Sequence, residues 1–409
     1  MRGKKFSVGL IAVLTLSIVI LLVTGTCAVA QERVLGSFDT RDGAEPEAGL
    51  IFDAAGNLYG TTYAGGGHSR GTIFELKPQA GGGWVRKVLH IFNSNGTDGY
   101  NPRASLTLDA SGNIYGTTYL GGTYGFGIAF ELAPQADGSS IYTVLYAFGS
   151  GKDGQYPVAG LIFDSSGNLY GTTGKGGVYN FGTVFELSPQ ASPGWKETVL
   201  YNFGKAAKDG EYPQAGLIFD PAGNLYSTTS QGGMYYRGTV FELMPDAGRW
   251  TEKILHSFSP SEGIIPDAGL VRDAAGNLYG TTYSGGDRGC GTVFEMTPTA
   301  NQGWTEMVLH GFSAGPTDGC NPSGLVFDMA GNLYGTTSDG GVYGFGTVFE
   351  MTNTAGGWIK KALHNFGSGN SMDGRYPATG LVSGATGNLY STTYAGGAYD
   401  EGTVFEITP

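Results

Sequence analysis

Gly56-Asn57-Leu58-Tyr59-Gly60-Thr61-Thr62 decides the fold, because the phrase returns six more times. Close variants begin at Gly112, Gly167, Gly223, Gly276, Gly331 and Gly387, at spacings of 56, 55, 56, 53, 55 and 56 residues. A fixed period of this size marks a solenoid or a propeller, in which one supersecondary unit is stacked on copies of itself.

Each copy holds four strand signals. In the first, strand a is Ala48 to Asp53, strand b Asn57 to Thr62, strand c Gly71 to Leu76 and strand d Trp84 to Phe92. All are short, rich in β-branched and aromatic residues, and bounded by Gly, Pro, Asn or Asp. Asp53 and Gly56 suit a tight turn between a and b. Four antiparallel strands per repeat predict a propeller blade. The rival, an open solenoid, is decided against by two segments. Arg33-Val34-Leu35-Gly36-Ser37-Phe38 aligns with strand d, whereas the chain closes on Gly402 to Ile407, a strand c. The last repeat lacks a d strand and the first residues supply it, which closes a ring and removes exposed sheet edges. The expectation is an all-β, seven-bladed β-propeller as one domain over residues 31–409.

The Gly-Asn-Leu-Tyr-Gly-Thr-Thr phrase and the Gly-Thr-Val-Phe-Glu-Leu phrase of strand c resemble the glycine-rich tandem repeat of the GloVer family, named for two bacterial groups. The resemblance spans essentially the whole chain after residue 30 and implies an exported bacterial protein. Members often carry a C-terminal surface-sorting segment; here Pro409 follows strand c directly, so none is expected. A looser similarity to NHL-type and lactonase-type propellers implies that strand a lies innermost.

Composition agrees with many tight turns around a real core. There are 73 glycines, yet 40% of residues are hydrophobic and 12% aromatic, more than a disordered chain carries. Arg2, Lys4 and Lys5, the apolar run from Val8 to Val23 and Ala28-Val29-Ala30 read as a cleaved secretory signal over residues 1–30. Free secretion is expected ahead of a lipid anchor at Cys27, because Thr26 stands where a lipoprotein site has Gly or Ala. An uncleaved membrane helix comes last. Loss of the signal takes the net charge from −12 to −15, since it holds three cations and no acid. Such an acidic chain is not expected to bind nucleic acid.

Seven copies provide an internal control: what recurs in every blade is explained by the blade. His90, His256, His310 and His364 share one place in strand d and should stand far apart on the outer rim. Glu75, Glu131, Glu186, Glu242, Glu295, Glu350 and Glu406 share one place in strand c, where bonding between blades is expected. Trp84, Trp195, Trp250, Trp304 and Trp358 open strand d and should pack over the c–d turn. The a strands look nearly alike, with Arg272, Ser383 and Gly384 as departures. They form no recognisable metal set, and no nucleophile, phosphate loop, metal site or cofactor is expected.

The loops on the d-to-a and b-to-c face are the place for a ligand. Tyr100, Tyr156, Tyr212 and Tyr376 join that face within Asp-Gly-x-x-Pro segments and suit a polar ligand such as a glycan or peptide. The bland alternative is that tyrosine covers the next blade and the acid caps a turn. Symmetry breaks most in the fifth repeat, where Asp287, Arg288 and Cys290 replace the usual tyrosine loop. Cys320 lies on the next d-to-a loop of the same face, so a Cys290–Cys320 disulfide is expected over two free thiols. The leading function is a secreted, monomeric, non-catalytic propeller that binds a glycan, peptide or surface partner. The alternatives are a lactonase, lyase or sugar-dehydrogenase type of enzyme with an ion on the axis, and a purely structural repeat.

Overall fold

The computed structural model describes residues 30–191, 194–301, 303–369, 372–377 and 379–409. The proposed signal and Cys27 lie outside them, and no helix among them is long and apolar enough to cross a membrane. Blade 1 is a four-stranded antiparallel sheet of Ile51–Phe52, Leu58–Thr62, Thr72–Pro78 and Trp84–Ile91, in the order a-b-c-d. Six more sheets repeat that order. In the seventh, strand d is Gln31–Ser37, paired antiparallel to Thr403–Thr408 with Val34 opposite Phe405 and Ser37 opposite Thr403. The ring is therefore closed by its own first strand.

Strand a is shorter than its sequence promises. Only Ile51 and Phe52 enter the ladder in blade 1, and the preceding Ala48-Gly49-Leu50 runs free of it. Those segments crowd one another at the axis, where a side chain on Gly160 would meet the Ser105 carbonyl at 3.0 Å.

The recurring phrase is explained residue by residue. Tyr59 donates its hydroxyl to Asp53 at 3.1 Å and to Glu75 at 2.9 Å, and Asn57 donates to Asp53. The strand c glutamate is thus bonded inside its own blade, contrary to the expected bond between blades: the strand b phenol is the nearest donor. The second threonine of the phrase shares its hydroxyl with the strand c threonine, as Thr62 does with Thr72 at 2.9 Å. The first threonine crosses to the next blade's a segment in six blades, from Thr117 to Ala159 through to Thr392 and Ala48, at 2.8–3.4 Å.

Between blades the core is aromatic. A phenylalanine at the end of each strand d meets the strand c phenylalanine of the next blade, from Phe38 on Phe74 to Phe366 on Phe405, with centroids 4.9–5.6 Å apart. All of these rings are fully buried. Such edge-to-face pairs add about 0.5–1.5 kcal/mol each to the area they bury. The tryptophans sit opposite the last or next-to-last strand c residue across the c–d turn, as Trp84 does to Pro78 and Trp358 to Asn353. Each also reaches the strand b tyrosine of the preceding blade, Trp84 edge-on to Tyr390 at 6.2 Å. They are blade-to-blade packing rather than an open platform.

Outside this core, each junction brings an acid of the d-to-a loop against one strand d residue of the next blade. That residue is always opposite the third residue of the Phe-Glu-Leu run, and it is Arg86, Tyr142, Glu197, Glu252, Glu306, Lys360 or Glu32. Three junctions supply a donor: Arg86 to Asp42, Tyr142 to Asp98 and Lys360 to Asp318. The other four set a glutamate against an acid.

In the Tyr146/Asp153/Glu197 and Tyr201/Asp209/Glu252 junctions the tyrosine satisfies the aspartate, and one glutamate oxygen is buried without a partner. Burial, then the facing aspartate, raises Glu197 to about 7 and Glu252 to about 8. Both lie above the unfolded value near 4.5, so the proton favours the folded state. Its stabilisation is complete below pH 4.5 and is lost as pH rises through 7 to 8. Screening by nearby solvent limits this to roughly 1–2 kcal/mol per junction. The double change Glu197→Gln and Glu252→Gln is expected to shrink the stability difference between pH 5 and pH 8 in urea titrations; an unchanged difference would show that these pairs do not hold a proton.

Candidate functional site

The variable positions of the repeat converge on the axis. Each d-to-a loop ends in a proline that packs on the preceding blade's strand c glycine. The residue after that proline differs in every copy: Glu47, Arg103, Val158, Gln214, Asp267, Ser323 and, outside the described residues, Ala378. The six described ones line a cavity of about 590 Å³ together with the small residues that follow them. Tyr283 and Ser338, at the exits of strands b, also line it. Strand a is thus innermost, and the cavity is entered from the d-to-a and b-to-c face.

Two sectors of the mouth carry charge. On blades 1 and 2, Arg103 pairs with Glu47 at 3.0 Å and lies over the rings of Tyr63 and Tyr119, 4.8 Å from each centroid. Burial holds the Glu47 carboxyl above its usual range although Arg103 pulls it down. Across the cavity the Asp267 carboxyl accepts its own backbone N–H, but burial outweighs this and raises it to about 6. Burial, then the charge of Asp339 and last that of Asp267, raises the Tyr283 phenol. Gln214 donates to Ser230 at 3.3 Å, and the Ser323 and Thr336 hydroxyls are hydrogen-bonded to each other at 2.5 Å. The arrangement offers one cation, two carboxylates, amide and hydroxyl groups, and tyrosine faces. Among the described residues, the groups of three His, Asp or Glu donors within reach of one ion lie at the outer junctions and not around this axis.

The expected tyrosines do not form one set. Tyr156, Tyr212 and Tyr376 stand just before the proline with φ of 58–59°. Each donates its N–H to a phenylalanine carbonyl of the preceding blade at 2.8–2.9 Å and packs edge-on to that ring, 5.4–5.5 Å away. Tyr100 is one position earlier, under the Arg70 guanidinium at 4.7 Å, because Asn101 takes the left-handed place in its blade. Tyr156 alone of the four reaches a mouth residue, its ring 5.0 Å from Tyr119. Asp287 and Arg288 are exposed at the tip of the blade 5 b-to-c loop. Cys290 and Cys320 are joined by a disulfide, Cα atoms 4.6 Å apart, where other junctions place a ring contact. Arg272 and Ser383, the departures noted in strand a, are exposed at its far end by the a–b turn and do not line the cavity.

The family described as the Gloeobacter/Verrucomicrobia repeat matches residues 22–222 and 216–409, which is nearly the whole chain. The chain belongs to this repeat family. No curated protein matches it. Among solved structures, this Gloeobacter/Verrucomicrobia repeat protein is similar to a putative 6-phosphogluconolactonase from Bacteroides uniformis, at TM-score 0.50 and 15% identity, over 81% of this chain and 86% of that one. It is also similar to a gluconolactonase from Xanthomonas campestris, at TM-score 0.45 and 15% identity, over 81% and 90% of the two chains. A protein of unknown function from Dyadobacter fermentans matches at TM-score 0.44 and 13% identity, over 82% and 100%. At these identities the likeness is one of fold.

Proposed function

We propose that this is an exported, non-catalytic binding propeller that takes a short glycan in its axial mouth. The observation that carries the reading is the mouth itself. Scaffold positions are nearly constant around the ring, whereas the post-proline position differs in all seven copies. Tyr283 offers an exposed ring to a sugar, the Tyr63 and Tyr119 rings hold the Arg103 guanidinium at the mouth, and Arg103, Glu47, Gln214 and Asp267 offer hydrogen bonds to hydroxyls. Tyr156 extends that surface outward. Tyr100, Tyr212, Tyr376, Asp287 and Arg288 stand farther out on the same face, where a longer glycan or a protein surface would meet them. The disulfide supports export, since such bonds persist in oxidising compartments.

A glycan array followed by calorimetric titration tests this. Arg103→Ala, which also leaves Glu47 unpaired, and Asp267→Asn are each expected to weaken binding by about tenfold or more, the size of a central contact in an interface. Silence on the array, or affinities untouched by both changes, would overturn the reading. Hydrolysis of gluconolactone by the purified protein would replace it with a catalytic one.

A further inference from the structure

The four strand d histidines stay apart as expected, but two of them each meet two carboxylates. At the seam between blades 6 and 7, His364 of strand d, Asp373 of the following loop and Glu32 of the closing strand bring three donor atoms within 4.8 Å of one another. His364 Nε2 and Asp373 Oδ1 are 3.5 Å apart. Each of these two atoms, and Glu32 Oε1, is buried without a hydrogen-bond partner. The Asp373 side chain is only 4% exposed, and its other oxygen already accepts the N–H groups of Gly367 and Ser368, which fixes Oδ1 toward the cluster.

The sister junctions show what is missing. Where the facing residue is arginine, tyrosine or lysine, the loop acid receives a donor from the neighbouring blade. Here the neighbouring blade supplies an acid in place of a donor, so two carboxylates face one imidazole nitrogen. We propose that Glu32, His364 and Asp373 form a divalent-cation site of the zinc class, which clasps the closing strand to blade 6. One imidazole nitrogen with two carboxylate oxygens is a donor set for zinc rather than for calcium or magnesium, which take oxygens alone. Two carboxylates neutralise the ion. Ligands of a tetrahedral zinc lie about 3.3 Å apart, so the His364–Asp373 spacing already suits it and Glu32 closes by a side-chain turn. The related trio His256, Glu262 and Glu306 is less prepared: Glu262 is a third exposed and already accepts the Ser259 N–H and approaches His256 at 3.2 Å.

The test is metal content and melting of the purified protein at pH 7 after chelation and reloading with zinc. The expected result is an equivalent that survives gel filtration, raises the melting temperature by several degrees, and is lost in His364→Gln and in Glu32→Gln. Cobalt in its place should give the visible bands of a tetrahedral site. His310→Gln, at a junction already closed by Lys360, should keep the metal, and apo melting curves establish that each variant folds. No retained zinc in the native protein, a melting temperature indifferent to zinc, or full retention by both seam variants would each overturn the site.

Discussion

Replacing Gly402 by alanine is expected to destabilise the ring by about 3 kcal/mol or more, the range of severe backbone and packing lesions. Gly402 has φ +99°, and a Cβ there would lie 2.4 Å from the Thr393 carbonyl and 2.6 Å from Pro46 Cδ. Pro46 belongs to blade 1, so the clash falls on the closing junction. Gly387 in the same blade is the control. Its φ is +82° but nothing lies within 4 Å of the added carbon. Gly387→Ala should therefore cost only the left-handed conformation, roughly 1–2 kcal/mol. Urea midpoints of the two variants check the argument, and equal losses would mean that the proline contact does not matter.

Loss of the Cys290–Cys320 bond is the second large effect. The two residues are 30 apart in sequence, and a cross-link over such a loop stabilises by roughly 3–4 kcal/mol in the chain-entropy description. The double change to serine should lower the thermal midpoint by several degrees, and reductant should do the same to the native protein alone. A loss under about 1 kcal/mol would mean that the Asn321 N–H to Cys290 carbonyl bond, at 2.9 Å, holds this junction well enough without the bridge. It is the counterpart of the Tyr156 and Phe126 link three junctions away.

What could be read without the structure follows from these two cases. Blade count, strand order and closure were legible because each rests on a pattern that repeats or conspicuously fails to. The cysteine pair was legible because both loops had to share a face. The axial mouth was not, although its signal is plain once located. The departures that stand out in sequence are the fifth-repeat loop at Asp287 to Cys290 and Arg272, Ser383 and Gly384 in strand a, not the residue directly after proline. That residue follows a left-handed position and precedes the ladder, so no strand period draws attention to it. Pairings between blades were hidden for a related reason. Whether Glu75 bonds within or across, and that Glu32 faces His364, depends on how flat sheets stack, which a one-dimensional pattern does not encode.

The seam has a temporal meaning as well. Residues 31–37 precede every other strand of the ring, yet their partners at 403–408 form the last strand to be made. Until synthesis is nearly finished, the earliest strand has no sheet to join, and six complete blades wait with an open edge at one end. Contacts of such long separation form slowly, because the loop they close is almost the whole polypeptide. A circular permutant opened at another d-to-a loop would move that waiting edge elsewhere and let blade 7 assemble from neighbours in sequence.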